Sequence, residues 1–125
     1  MPKYVVRYGV MRHLGVFTYK GEPLLRGTQV IARTGRGMEA GEVLSEATEG
    51  ALEQLDDPQR GTILREQTEG DRREIFKLLA QQREEFDTCR AKIAELGLDM
   101  RLVDIERLYG GERVIVYYLS EERVD

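Results

Sequence analysis

The sequence predicts an α+β domain with a small N-terminal antiparallel β unit, one long amphipathic helix and a C-terminal β-hairpin. Apolar and polar residues alternate in short runs over residues 1–44, which is typical of strands with one buried face. Beyond residue 70, apolar residues recur every three or four positions, which is typical of a helix. Two further strand-like runs are joined by Gly110 and Gly111, a common hairpin link.

The N-terminal β unit is predicted to contain four short strands. Tyr4, Val6 and Tyr8 alternate with their neighbours in the first, and GVFTY, TQVIART and MEAGEVL supply the others. Gly35 and Gly37 are predicted to lie in the hairpin between the third and fourth strands. Four short strands in so few residues favour a small antiparallel barrel or meander.

The glycines of RTGRGMEAGEVL, at 33–44, are compatible with a phosphate cradle or with a turn. A P-loop places Lys and then Ser or Thr after its last glycine, whereas Glu42 follows Gly41 here. A dinucleotide fingerprint opens a helix, and this stretch lies between two strand-like runs. The turn is therefore favoured, and Gly41 within a strand indicates a bulge or a close backbone crossing.

Residues 45–70 are predicted to form a connector that contains Pro58 and three glycines. The helix is predicted from about Asp71 to Leu96, and Gly97 ends it because glycine readily adopts positive φ. We interpret Cys89, which lies in the apolar stripe of this helix, as a core residue rather than a redox group or nucleophile. That stripe comprises Ile75, Leu79, Gln82, Phe86, Cys89, Ile93 and Leu96.

The second strand of the C-terminal hairpin is apolar on both faces. Ile115, Tyr117 and Leu119 share one face. A strand buried on both sides needs two covers. The long helix supplies one cover, and the other is the β unit, a second chain or a helix beyond Asp125. The opposite face is the candidate protein interface, which comprises Val114, Val116 and Tyr118.

The three predicted parts of the chain are the β unit at 1–44, the connector at 45–70 and the helix plus hairpin at 71–125. We expect them to form one compact domain.

Composition excludes several classes of protein. A single Cys and a single His exclude an internal disulfide and a zinc site built from several such ligands. No run of eighteen apolar residues occurs, so no membrane association is expected. The N-terminus shows no secretory signal, and we expect a cytoplasmic protein.

The sequence offers little for catalysis. Asp104 and Glu106 lie two apart on one predicted strand, about 7 Å from each other. This spacing suits an acid and base pair or a metal, but a solvated or ion-paired edge is the favoured interpretation because no further ligands converge. His13 is interpreted as a surface residue. We therefore expect neither an enzyme nor a small-molecule substrate.

RNA binding is an alternative that the charge distribution raises. Residues 1–44 hold seven Lys or Arg against three Glu, although the whole chain has a net charge of −4. Aromatic rings among these cations suit both phosphate binding and base stacking, although the alternation of Tyr4 and Tyr8 favours a place inside a barrel. The candidate RNA or anion contacts are Arg7, Arg12, Arg26, Arg33 and Arg36.

Three stretches resemble the PSP C-terminal domain family: RGTQVIARTGRGMEAGEVL, ILREQTEGD and EEFDTCRAKIAELGLDMRLVDIERLYGGERVIVYYLSEERVD. The most specific part is GLDMRLVDIE, at 97–106, which is followed by the two-glycine link, an aromatic strand and RVD. A G-x-E-x-G-x-V pattern from Gly37 and an R-x-x-T-x-x-D pattern from Arg65 add to the resemblance.

The resemblance implies a non-catalytic adaptor or regulatory domain in a cytosolic protein complex linked to RNA processing. Relatives assemble with small helical partner proteins, and some relatives of the domain bind RNA. In bacterial relatives, iron–sulfur clusters lie in a cysteine-rich tail beyond the RVD, which this sequence lacks, so no cofactor is expected. The expected partners are another protein or a second copy, with RNA as the alternative.

Overall fold

The structure is a computed structural model that describes residues 2–55, 58–109 and 113–120. It confirms the α+β class, with strands at both ends of the chain and one long helix between them. The elements in chain order are β1 (Lys3–Tyr8), β2 (His13–Thr18), β3 (Gln29–Thr34), β4 (Gly37–Glu46), α1 (Glu49–Glu53), β5 (Gln59–Glu66), α2 (Glu69–Leu96), β6 (Met100–Arg107) and β7 (Val114–Ser120).

The N-terminal half forms a closed five-stranded barrel with the strand order β1-β2-β5-β3-β4, in which β4 pairs back with β1. All neighbours are antiparallel except β2 and β5, which run parallel. Inward-facing side chains alternate along each strand and fill the interior. The barrel core comprises Tyr4, Val6, Tyr8, Phe17, Val30, Ala32, Val43 and Ile63.

The four predicted strands are present as β1–β4, but the predicted connector at 45–70 was wrong, because it contains β5, which completes the barrel. The unit is also not wholly antiparallel, since β5 runs parallel to β2. Only Ile63 is buried along this strand, so it shows no alternation of apolar and polar residues. The β3–β4 hairpin was predicted correctly, with Gly35 and Arg36 at its turn. Gly41 marks a close approach, since a Cβ there would lie 2.7 Å from Val6 Cγ1.

Barrel closure requires a glycine at position 61. A Cβ at Gly61 would lie 2.5 Å from the Arg33 carbonyl oxygen and 2.7 Å from the Phe17 ring. We expect Gly61→Ala to lower the free energy of unfolding by about 1–3 kcal/mol, as overpacking does elsewhere. Urea denaturation checks this, with Gly50→Ala as the control because nothing lies within 4 Å of the added methyl there. Equal stabilities of the two variants would contradict the expectation.

Helix α2 begins and ends close to where the sequence predicted. Thr68 caps its N-terminus through a capping box with Asp71, and Gly97 ends it with φ of 64°. Leu78 is buried, and the helix packs against β6. The predicted stripe was wrong at Leu79 and Leu96, which are 53% and 62% exposed. No helix among the described residues is long and apolar enough to cross a membrane.

Strands β6 and β7 form the predicted antiparallel pair, here called the ribbon. A register shift between Leu102 and Asp104 marks a bulge in β6. The predicted glycine link at 110–111 and the RVD at 123–125 lie outside the described residues.

Candidate protein interface and the ion network behind it

The candidate interface lies on the face of the ribbon that α2 partly covers. Directly opposite residues of an antiparallel pair share a face, and Val114 lies opposite Arg107. Arg107 contacts α2 twice: its backbone N–H donates to Gln82 Oε1 over 2.7 Å, and its guanidinium pairs with Glu85. Because α2 packs mainly along β6, this face remains partly uncovered on β7. Val114, Val116 and Tyr118 are 43%, 43% and 44% exposed.

The other face of the ribbon is directed toward the barrel. Ile115 and Tyr117, opposite Glu106 and Asp104, are half-buried. Glu106 and Tyr117 both contact Arg36, which lies in the β3–β4 turn of the barrel. The β unit thus covers Ile115 and Tyr117 and is one of the three covers that the sequence left open. Leu119, predicted on the same face, is 63% exposed.

Arg36, Glu39, Glu106 and Tyr117 form a cluster that we call the Arg36 network. The Arg36 guanidinium donates to both carboxylate oxygens of Glu39, one of them over 3.1 Å. It also donates to Glu106 Oε1 over 3.1 Å and to the Tyr117 hydroxyl over 3.0 Å. The Tyr117 hydroxyl donates to the same Glu106 oxygen over 3.0 Å. The network therefore ties the barrel to the ribbon.

The two carboxylates of the network are buried and have further donors. Glu39 is 2% exposed and Glu106 is 5% exposed. The Thr34 hydroxyl donates to Glu39, and the Val10 N–H donates to Glu106 Oε2 over 3.0 Å. Satisfying their lone pairs in this way is what makes the burial of two carboxylates tolerable.

The pKa values of Arg36 and Tyr117 depend on the buried environment of this network. Burial alone would lower the pKa of Arg36, but its hydrogen bonds and the charges of Glu39 and Glu106 outweigh burial and raise that pKa. Burial, together with the hydrogen bond to Glu106, raises the pKa of Tyr117. Arg36 stays cationic and Tyr117 stays a neutral donor at ordinary pH, so the network is suited to joining two parts of the fold.

A second cluster holds the start of α2 against the barrel and the segment after β6. Asp71 accepts hydrogen bonds from Arg65 over 2.8 and 3.3 Å, from the Thr68 N–H over 2.9 Å and from the Tyr109 hydroxyl. The hydrogen bond from Arg65 has the largest effect, and together these donors hold the pKa of Asp71 well below its ordinary value. The same hydrogen bond raises the pKa of Tyr109.

The structure does not bring Asp104 and Glu106 together as a reactive pair. The Asp104 carboxylate accepts from the adjacent Ile105 N–H over 2.8 Å, whereas Glu106 belongs to the Arg36 network. A cavity of about 220 Å³ between the barrel, α2 and β6 includes Glu39 and Glu106 in its lining but not Asp104. His13 packs beside the Tyr8 ring, with 5.4 Å between centroids. Among the described residues, no three His, Cys, Asp or Glu could hold a metal ion.

The five candidate RNA contacts have different surroundings. Arg7 pairs with Glu42, and Arg36 is held in its network. Arg12, Arg26 and Arg33 are exposed and, in the described parts of the chain, make no ion pair. The barrel buries three of the aromatic rings considered for base stacking, which are Tyr4, Tyr8 and Phe17.

Sequence reasoning missed the role of Glu39. One local signal was present, because Glu39 shares the inward register of Gly41 and Val43 on β4. A carboxylate at an inward position requires a partner, and Arg36 stands three residues before it. The link between Arg36 and Glu106 has no comparable signal in the sequence, since Glu106 lies 70 positions after Arg36.

The fold and the site define a two-part α+β domain in which a small closed barrel is tied by buried ion pairs to a helix-backed ribbon. Residues 61–125 match the PSP1 C-terminal conserved region, and the chain belongs to this family. It is similar to the stage 0 sporulation protein YaaT of Bacillus subtilis (strain 168), with 32% identity over 124 residues. This similarity covers 96% of the chain and 43% of YaaT, so the chain spans less than half the length of that relative. No solved structure matches it.

The comparisons confirm the resemblance drawn from the sequence. The family match begins within β5, whereas the similarity to YaaT also extends over the earlier barrel strands. Because β5 lies between β2 and β3, the matched region includes the strand that closes the barrel. The matched region contains the Arg65–Asp71 ion pair that holds α2 on the barrel, whereas Arg36 and Glu39 precede it.

Proposed function

We propose that this chain is a non-catalytic adaptor or regulatory domain that binds a partner protein in a cytoplasmic complex linked to RNA processing. The observation that carries the proposal is the apolar face of β7, where Val114, Val116 and Tyr118 stand side by side and more than two-fifths exposed. Apolar side chains clustered on an exposed sheet face are typical of a protein interaction site. The similarity to a protein named for sporulation agrees with a regulatory role.

The environment of the acidic residues supports a non-catalytic role. A general acid or base needs a free position within hydrogen-bond reach of its substrate. Glu106 already accepts from Arg36, Tyr117 and Val10, and its carboxylate is nearly fully buried. Its contacts are those of a residue that holds the ribbon on the barrel.

Val116→Lys tests the proposed interface. We expect capture of the partner from native cytosol to fall at least about tenfold, because an unpaired ammonium in an apolar contact costs more than the roughly 1.4 kcal/mol that a factor of ten represents. Quantitative pull-down with the full chain measures this. Leu25→Lys is the matched control, since Leu25 is 79% exposed in the β2–β3 loop of the barrel. Equal capture by wild type and Val116→Lys would contradict the proposal.

A ribonuclease arm of the same pull-down separates the RNA-binding alternative. Arg12, Arg26 and Arg33 supply the exposed cations that this alternative requires. If RNA is the ligand, capture disappears after ribonuclease treatment and binding falls steeply with salt. Protein binding through β7 instead survives ribonuclease and stays sensitive to Val116→Lys.

A further inference from the structure

Helix α2 carries a second face beside the one that packs on β6. Its members recur at alternating steps of four and three residues, so they follow one side of the helix over about 31 Å. We call this set the arginine–apolar stripe. It comprises Arg72, Phe76, Leu79, Arg83, Phe86, Arg90 and Ile93.

The apolar members of the stripe are incompletely buried. Phe76 is 75% exposed and Leu79 is 53% exposed, while Phe86 and Ile93 are half-buried. Toward the end of the helix the stripe runs into an open cleft of about 770 Å³ between α2 and the ribbon. Its lining includes Phe86, Arg90 and Ile93 of the stripe, together with Arg101, Val103 and Leu119 of the ribbon.

The charged members of the stripe are three arginines that are open to solvent. Arg72, Arg83 and Arg90 are exposed and make no ion pair within residues 2–55, 58–109 and 113–120. Within the same residues, Arg107 pairs with Glu85 and Lys92 with Glu95, whereas Arg73 and Lys77 of α2 also make no ion pair. Arg101, which lines the cleft, is also exposed and without an ion pair in the same residues.

We propose that the arginine–apolar stripe and the cleft dock an amphipathic helix of a partner protein, whose apolar side chains are flanked by carboxylates. A seven-residue repeat of apolar positions is the seam by which two helices pack together. Along the axis of α2, Arg72 lies about 16 Å from Arg83, and Arg83 lies about 10 Å from Arg90. These spacings determine the positions of the carboxylates on the partner helix. This inference rests on the proposed function as a protein-binding domain and adds a second surface to β7.

The charges of the stripe favour this occupant over two others. A second copy would bring its own stripe, which holds three arginines and no carboxylate, so its arginines would face arginines or apolar side chains. RNA is disfavoured because α2 contains seven Asp or Glu in total, whose negative charges oppose the approach of phosphate groups. A helix with local carboxylates can pair with the stripe and cover its apolar residues at once.

Two synthetic peptides test the inference against the full chain. Each is four heptads long with leucine at its a and d positions, and the flanking e and g positions hold glutamate in one peptide and lysine in the other. We expect wild type to bind the glutamate peptide at least about tenfold more tightly, because like charges across an interface cost several kcal/mol. Isothermal titration calorimetry measures both affinities. Equal affinities for the two peptides would overturn the inference.

Charge reversal supplies the decisive variant. The double variant Arg83→Glu with Arg90→Glu should prefer the lysine peptide, an exchange of preference that simple misfolding cannot produce. The matched control is Lys77→Glu with Lys92→Glu, which makes the same charge change on the side of α2 opposite the stripe and should keep the wild-type preference. Both doubles should retain the helical circular dichroism of wild type. A double variant that still prefers the glutamate peptide would refute the docking site.

The remaining outcomes separate this inference from the proposed function. If Val116→Lys abolishes partner capture while wild type binds neither peptide, the stripe is not a docking site and the β7 interface stands. If wild type dimerises through the stripe, or binds a single-stranded RNA oligomer that Arg83→Glu with Arg90→Glu releases, the inference is overturned in favour of that ligand.

Discussion

Replacing Arg36 with Met is expected to lower the free energy of unfolding by about 3–5 kcal/mol, because it leaves two buried carboxylates without their cation. Glu39 and Glu106 cannot reach water to recover this loss, since they are 2% and 5% exposed. Urea denaturation followed by far-ultraviolet circular dichroism at neutral pH measures the effect. The change is large for a domain of this size, whose total stability is about 5–15 kcal/mol.

Two further variants show whether the loss comes from the uncompensated charges. Arg33→Met removes an exposed cation three residues away and should change stability by no more than about 0.5 kcal/mol. Adding Glu39→Gln and Glu106→Gln to Arg36→Met removes the buried charges and should recover part of the loss. A single Arg36→Met variant as stable as Arg33→Met would show that the network does not tie the barrel to the ribbon.

Asp71→Asn is expected to lower the free energy of unfolding by about 2–3 kcal/mol at pH 7, since it weakens several hydrogen bonds to one buried carboxylate. The expected loss depends on pH. The folded-state pKa of Asp71 lies below its ordinary value, so its contribution is present above the unfolded pKa and is lost as pH falls toward the folded pKa. The gap in stability between wild type and Asp71→Asn should therefore narrow below about pH 4.

Denaturation curves at a series of pH values test this second expectation. Asp87→Asn is the matched control, because Asp87 is an exposed carboxylate on the same helix and its replacement should change stability only slightly. Tyr109→Phe removes one of the donors and should produce a smaller loss than Asp71→Asn. A stability gap for Asp71→Asn that stays constant from neutral to acidic pH would contradict the role assigned to this carboxylate.

Elements with a strong local pattern were predictable from the sequence. The alternation of Tyr4, Val6 and Tyr8 placed β1 and its inward face correctly. The long helix was predicted to within two residues at its start, because capping and glycine termination are local signals. Strand β5 was missed because a mostly exposed strand shows no period, and its two neighbours, β2 and β3, are distant in sequence.

The faces of α2 were the least predictable part of the candidate site. Leu78 and Leu79 are adjacent, so spacing alone cannot tell which one faces the sheet; the structure buries Leu78 and exposes Leu79. The apolar face of β7 was visible in the sequence, but its degree of exposure depends on how far α2 extends across the ribbon. Arg36 was grouped with the basic residues because its pairing with Glu106 has no sequence signal.

The position of β5 between β2 and β3 has a consequence for biosynthesis. A nascent chain that has emerged only through β4 can form the order β2-β1-β4-β3, with both outer strands lacking a neighbour. Unpaired strand edges are the surfaces through which chains associate wrongly. Residues 59–66 must therefore emerge from the ribosome before both edges can be covered at once.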